Sequence, residues 1–167
     1  TLCLGWGGVT AAMRSSTRFA CVSHDPQDGW NAPRLVERQD SDVFPDVNFS
    51  DTRVKWADMT GGGLQQIVLV YDGSVEYWPS LGRGDWGKRI HMKNSPRFPF
   101  GYDPKRILVG DVDGDGLADI VYVDDMKVTL WINQSGNGWS NPIVIQGTPP
   151  VTDMNAERLP DVKAPGI

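Results

Sequence analysis

Cysteine is scarce in this chain: 167 residues hold two, Cys3 and Cys21. Two cysteines make no disulfide framework, and the sequence leaves open whether they pair or pack as small apolar side chains. Histidine is as scarce, with only His24 and His91. Cys21 and His24 lie close together, but in a strand and its following turn, with no third group to orient them. His91 falls in an alternating strand, where a lone histidine is more often structural than catalytic. No apolar run approaches the ~20 residues of a membrane helix. Basic charge is not in excess: Lys+Arg number 16 against 21 Asp+Glu, for a net charge of −5 and a pI near 4.9. That balance argues against a nucleic-acid partner, which usually wants a basic face. The chain has no initiator Met and no charged-then-apolar leader, so targeting signals say nothing of its compartment. Helical periodicity is missing throughout. The run Gly61-Gly62-Gly63 lacks the Lys and the strand-to-helix context of a phosphate loop. Together these absences leave no candidate catalytic residue, and no enzyme is expected.

What is abundant points to β-structure. Glycine (19), proline (12) and tryptophan (7) are high in a chain that is 40% hydrophobic and 22% charged. This mixture suits short strands joined by tight turns, with aromatic side chains filling the space between sheets.

The strands repeat. Adding 53 to a residue number carries Asp58 to Asp111, Gly61 to Gly114, Gly63 to Gly116, Leu64 to Leu117 and Ile67 to Ile120. It also carries Val75 to Val128, Trp78 to Trp131 and Trp86 to Trp139. Weaker copies flank these two. Trp30 and Phe19 lie 56 residues before Trp86 and Val75, and Asp161-Val162 lies 50 after Asp111-Val112. The units are approximately 1–30 (partial), 31–86, 87–139 and 140–167 (partial). Each complete unit predicts four strands: 53–57, 66–71, 74–78 and 88–92, then 106–110, 119–123, 127–132 and 142–145. Asp72-Gly73 suits a tight hairpin turn. Four strands per unit of about 50 residues indicate β-propeller blades. The expected fold is all-β, about three blades spanning 1–167 as a partial propeller. Tryptophans at one register are expected to pack blade on blade, ahead of serving as a sugar platform.

One copy of the repeat carries a cation-loop pattern, Asp111-Val112-Asp113-Gly114-Asp115-Gly116-Leu117-Ala118-Asp119. Calcium takes 6–8 oxygen ligands from carboxylates, carbonyls and water. Asp111, Asp113, Asp115 and Asp119 would supply carboxylates and Leu117 its backbone oxygen. An EF-hand is excluded, because the twelfth position is Tyr122 and the flanks read as strands. The sister loop keeps Asp58 but has Thr60, Gly62 and Gln66 at the other ligand places. The later copy keeps Asp161, with Lys163 where Asp113 would stand. One structural Ca2+ site is expected, tying two strands together.

The loop and its flanking strands resemble the FG-GAP/VCBS repeats of integrin-like β-propellers. A longer series is similar to the propeller of the TcB subunit of bacterial insecticidal toxin complexes and of SpvB-type proteins. It comprises residues 94–98, 101–106, 117–123, 128–138 and 147–151. The resemblance covers roughly residues 30–167. It implies a secreted, non-catalytic segment of a much larger protein. That segment would dock on the toxin complex's channel-forming subunit and gate the shell around the toxic segment. A propeller usually has 4–8 blades, so the chain is expected to be a fragment or to close its ring by self-association through open blade edges. A calcium-dependent lectin or adhesion propeller is the alternative.

Residues 83–106 run against the acidic whole. Arg83, Lys88, Arg89, Lys93 and Arg97 form a possible docking patch for an acidic partner, set against the plainer reading of solvated loops.

Overall fold

The computed structural model describes residues 2–6, 18–22, 24–25, 27–30, 32, 34–36, 45, 47–82 and 85–150. Two four-stranded antiparallel sheets follow one another along the chain. The first is built from Val54–Ala57, Gln66–Tyr71, Ser74–Trp78 and Ile90–His91 in simple meander order. The second repeats it with Ile107–Gly110, Asp119–Asp124, Lys127–Trp131 and Ile143–Gln146. Leu2–Trp6, Arg18–Val22 and Arg34–Val36 form a further three-stranded sheet, in which Cys3 pairs opposite Cys21 along the backbone.

Period-2 alternation gives each sheet two faces. One face of the first blade carries Val54, Ile67, Leu69 and Trp78; we call it the leading face. The other, trailing face carries Val68, Val70, Val75 and Tyr77. Residues 53 further on hold the same places in the second blade. The main core is the trailing face of the first blade packed on the leading face of the second. Ala57, Val68, Val70, Val75, Tyr77 and Met92 meet Ile107, Ile120, Tyr122 and Trp131. Phe98, from the crossing between blades, caps this core against Tyr102, Tyr122 and Trp131. A second cluster, Val47, Ile67, Trp78 and Trp86, lies on the leading face of the first blade.

The turns repeat with the strands. Left-handed φ angles stand at Gly61 and Gly114, Gly63 and Gly116, Gly73 and Met126, Gly82 and Ser135, and Asn94 and Gly147. The backbone path is thus the same in both blades even where glycine is replaced by a residue that resists that region. Gly73 takes the positive φ of the first hairpin turn and Asp72 does not.

The segments between the third and fourth expected strands, 79–87 and 133–141, contain structure that the repeat did not predict. Ser80–Gly82 pairs with Asp85–Trp86, and Asn133–Gln134 with Gly138–Trp139. These ladders are too short to show periodicity; they insert Trp86 and Trp139 into the cores, 5% and 1% exposed. A 3₁₀ turn at Pro104–Arg106, capped by the Asp103 side chain, leads into the second blade. The crossing is held at both ends. Gly73 N–H donates to Pro96 O, Phe98 N–H to Asp72, and Lys93 and Trp139 exchange backbone bonds across it with Asn137 and Lys93.

Candidate metal centre

Loops 58–66 and 111–119 join the first two strands of their blades. In the first, one carboxylate organises the whole turn. Asp58 accepts from the N–H groups of Thr60 (3.1 Å), Gly61 (2.9 Å), Gly62 (3.2 Å) and Gly63. Gln66 closes the loop from below: its Oε1 accepts from Met59 N–H (2.6 Å) and its Nε2 donates to Thr60 Oγ1 (2.8 Å). Each of these polar side chains has a partner, and only one charge is present.

The second loop keeps that scaffold and adds charge. Asp111 accepts from Gly114 N–H (2.7 Å) and Gly116 N–H (3.0 Å). Asp113 accepts from Asp115 N–H (3.2 Å), and Asp115 from Leu117 N–H (2.8 Å). These bonds turn the chain inward so that ligand oxygens of Asp111, Asp113 and Asp115 all lie within 4.8 Å of one another, exposed to solvent. Gly114 and Gly116 make the bend possible, at φ +84° and +88°. Among the described residues no Lys or Arg pairs with these three. Three carboxylates at such spacing repel each other unless a cation or protons intervene. The donor set is all oxygen, as a hard cation such as calcium requires.

Asp119 is placed differently. It is fully buried and stands outside that cluster. Its Oδ2 accepts from Val112 N–H (3.0 Å) and its Oδ1 from Asn133 N–H (2.8 Å). This is the job Gln66 does in the sister loop. Burial raises its pKa, and the charges of Asp113 and Asp115 add to that, while the two backbone donors work the other way. Leu117 rests its side chain against the sister loop, where a Cβ on Gly61 would stand 3.4 Å from Leu117 Cδ2.

The two loops are bonded into one unit by residues that the cation-loop pattern does not include. Ala118 N–H donates to Asp58 O at 2.7 Å. The Asn133 amide donates to Met59 O and to Ala118 O, both at 3.1 Å, and accepts from Gly136 N–H at 2.8 Å. Tyr77 donates its hydroxyl to Gly136 O at 3.0 Å, and its burial raises the phenol pKa. Asn133 stands where the first blade has Ser80, and that departure from the repeat is its one signal in the sequence.

Of the basic residues singled out in sequence, Arg83 lies outside the described residues. Lys88, Arg89, Lys93 and Arg97 are exposed along the outer strand of the first blade and the crossing that follows it. Arg89 pairs with Glu76 (3.3 Å) and Arg97 with Asp72 (3.8 Å).

Residues 58–122 match the FG-GAP-like repeat family. Among curated proteins no relative matches. Solved structures do. A crystal structure of TcdB2-TccC3 without its hypervariable C-terminal region is 31% identical over 59% of this chain, with a TM-score of 0.54. A Photorhabdus luminescens Tc holotoxin pore is 27% identical over 77% of this chain, with a TM-score of 0.66. The TcdB2-TccC3 structure with Cdc42 is 29% identical over 68% of this chain, with a TM-score of 0.56. This chain spans 5% of the first of those chains and 6% of the other two. The segment that holds both loops is therefore an FG-GAP-like repeat, within a run of β-propeller blades similar to part of the Tc toxin structures.

Proposed function

We propose that this chain is a non-catalytic β-propeller segment of a secreted toxin-complex B component, a docking and gating scaffold with one structural calcium ion. The observation that carries the reading is the pair of stacked FG-GAP-like blades, similar to Tc toxin chains both in fold and at 27–31% identity. Asp111, Asp113 and Asp115 would hold the ion through their carboxylates. Asp119 and the Leu117 carbonyl would complete the set. The ion would neutralise the loop and tie the first two strands of the second blade together. The basic side chains Lys88, Arg89, Lys93 and Arg97, with Arg83, would face an acidic partner surface.

The lectin alternative finds less support. Trp78, Trp86, Trp131 and Trp139 are all at most 5% exposed, so they pack and offer no stacking platform. A groove of about 600 Å³ runs past Arg97, Phe98, Tyr122, Lys127, Thr129 and Trp131. Its rings are buried too, and both its cations are engaged, Arg97 by Asp72 and Lys127 by Asp124.

Calcium titrated into chelated protein, followed by melting, tests the ion. A site filled at a hundredfold excess over Kd adds about 2.7 kcal/mol and a clear rise in Tm. Asp113→Ala should lose that rise. No rise in the wild type, or an unchanged rise in the variant, defeats the assignment. Charge reversal at Lys93 and Arg97 should weaken capture by a Tc channel-forming subunit, and unchanged capture defeats the docking patch.

A further inference from the structure

The outer strands of the two blades are built on opposite plans. Blades that follow one another in a propeller stack on each other's faces, so an adjoining blade does not cover an outer edge. Such edges are ordinarily short or charged, because unpaired N–H and C=O groups invite a further strand. The first blade conforms: its outer strand is Ile90–His91, set between Lys88, Arg89 and Lys93. The outer strand of the second blade, Ile143–Gln146, is four residues long and exposed throughout. It lies in a stretch, 128–152, that holds no charged residue. Among the described residues no strand pairs with its outer side.

The pairing register decides which backbone groups face out. Gly147 N–H donates to Met126 O, and Val144, Ile145 and Gln146 pair with Thr129, Val128 and Lys127. Bonded and non-bonded pairs alternate along an antiparallel ladder. Ile143, Ile145 and Gly147 therefore bond inward, and Val144 and Gln146 turn their N–H and C=O groups outward. The side chains of Val144 and Gln146 lie on the leading face, beside Thr129 and Lys127. Ile143 and Ile145 point to the trailing face, which a following blade would cover. The groove of about 600 Å³ runs beside Thr129 on the leading side. Both its walls belong to this chain, Asn94 and Ser95 from the crossing and Thr129 and Asn141 from the second blade. Phe98 and Trp131 lie at its floor.

We infer that the outer edge of the second blade takes an added strand from a partner protein, an uncharged extended segment with a tyrosine opposite Val144. The open ladder asks for an extended main chain, since a strand meets the outward groups of both Val144 and Gln146. The outer strand offers no counter-charge to an ionised side chain paired on it. Lys127 and Arg97 line the groove, and each already has a carboxylate, Asp124 and Asp72. An added strand keeps the alternation of the sheet, so its residue opposite Val144 shares the leading face and projects over the groove. A tyrosine there would turn its ring toward the apolar floor and its hydroxyl toward the amides and hydroxyls of the walls. A second copy of this chain fits less well. Paired antiparallel about Ile145, it would put Gln146 opposite Val144 and leave the groove unfilled. The inference rests on the blade reading above and uses neither the cation nor the basic patch.

The probe is a fluorescent peptide in which threonine alternates with tyrosine and valine, titrated into the full chain and followed by anisotropy. The wild type should bind it. The Val144 and Gln146 amides should gain protection in hydrogen exchange, while Ile145, already bonded inward, should not change. Val144→Pro removes an outward donor and spares the inward ladder, as proline on an edge strand can. It should weaken binding about tenfold. Val144→Thr keeps the outward N–H and should bind as the wild type does. N-methylating the peptide at the residue opposite Val144 should cause the same loss with the protein untouched. A peptide with alanine for tyrosine should also bind less well. Circular dichroism checks that the sheet survives in each variant. The proposal is overturned by a wild type that does not bind, by unprotected Val144 and Gln146 amides, or by undiminished binding in Val144→Pro, with the methylated peptide or with the alanine peptide. It is also overturned if light scattering without peptide shows a mass that grows with concentration and falls back in Val144→Pro, which assigns the edge to a second copy. Unchanged capture by a Tc channel-forming subunit after charge reversal at Lys93 and Arg97 would defeat the docking patch and leave this result standing.

Discussion

Loops 58–66 and 111–119 connect equivalent strands with equivalent left-handed glycines, and they satisfy their backbones by different means. The first spends one carboxylate on four N–H groups and seals its floor with a neutral amide, Gln66. The second distributes the same work over four carboxylates and seals its floor with Asp119. The first loop is complete in itself. The second gathers three exposed carboxylates and buries a fourth beneath them, which favours a bound cation. The comparison teaches that the fold of the turn and its charge are separable. Backbone shape comes from Gly61/Gly114 and Gly63/Gly116; the proposed cation affinity would come from what stands at the positions of Thr60, Gly62 and Gln66.

The largest expected effect comes from cutting the link between the loops. Asn133→Ala leaves two carbonyls and one N–H without partners in a buried site, at about 1–3 kcal/mol each. Urea denaturation should show a loss of about 4 kcal/mol, against about 1 kcal/mol for Tyr77→Phe, which removes one bond. A loss in Asn133→Ala no greater than in Tyr77→Phe would mean that the loops are not held as a unit.

Exchanging the ligand positions is the next test. Thr60→Asp, Gly62→Asp and Gln66→Asp together should raise the calcium stoichiometry from one to two in calorimetric titration. Gly62 has an ordinary φ and room for a side chain, so the change is sterically open. Without calcium the triple variant should melt below the wild type, because it adds repulsion without a counter-ion. The reverse exchange, Asp113→Thr, Asp115→Gly and Asp119→Gln, should abolish binding and leave a loop indifferent to chelator. If stoichiometry follows neither exchange, cation affinity is not set at these positions.

The smallest effect concerns the arginine that stands just before the first strand of each blade. Arg53 and its counterpart Arg106 each reach a carboxylate, Asp51 and Asp124. The Arg53 guanidinium holds the Asp51 carboxyl below the usual range, partly offset by burial. A native pKa below the unfolded value, about 3.9, stabilises the fold above that pH, and the gain is lost as pH falls through the native value. Asp51→Asn should therefore cost a few tenths of a kcal/mol near neutrality and nothing in acid, where the two proteins should melt together.

Much of the architecture was legible in the sequence because a repeat reports on itself. Strand 66–71 falls where a continuous β-branched run places it, and strand 74–78 where alternation does. Two structures between the expected strands were not legible, since pairs of two or three residues carry no period. The site was legible in part. Asp111, Asp113 and Asp115 converge as their spacing suggests. Asp119 shares their spacing, but its position on the trailing side of a strand turns it inward, where it serves the backbone. Asn133 showed in the sequence only as a departure from the repeat at Ser80, and its role did not show, because its partners lie up to 74 residues away.

The sequence by itself determined the blade, its register and the charge on the 111–119 loop, because these follow from local alternation, turn residues and a fixed repeat offset. Only the tertiary structure decided which faces are covered and which carboxylate is buried. Those outcomes depend on how one sheet lies on the next, and identical alternation in Val68 and Val121 gives complete burial in one blade and half in the other.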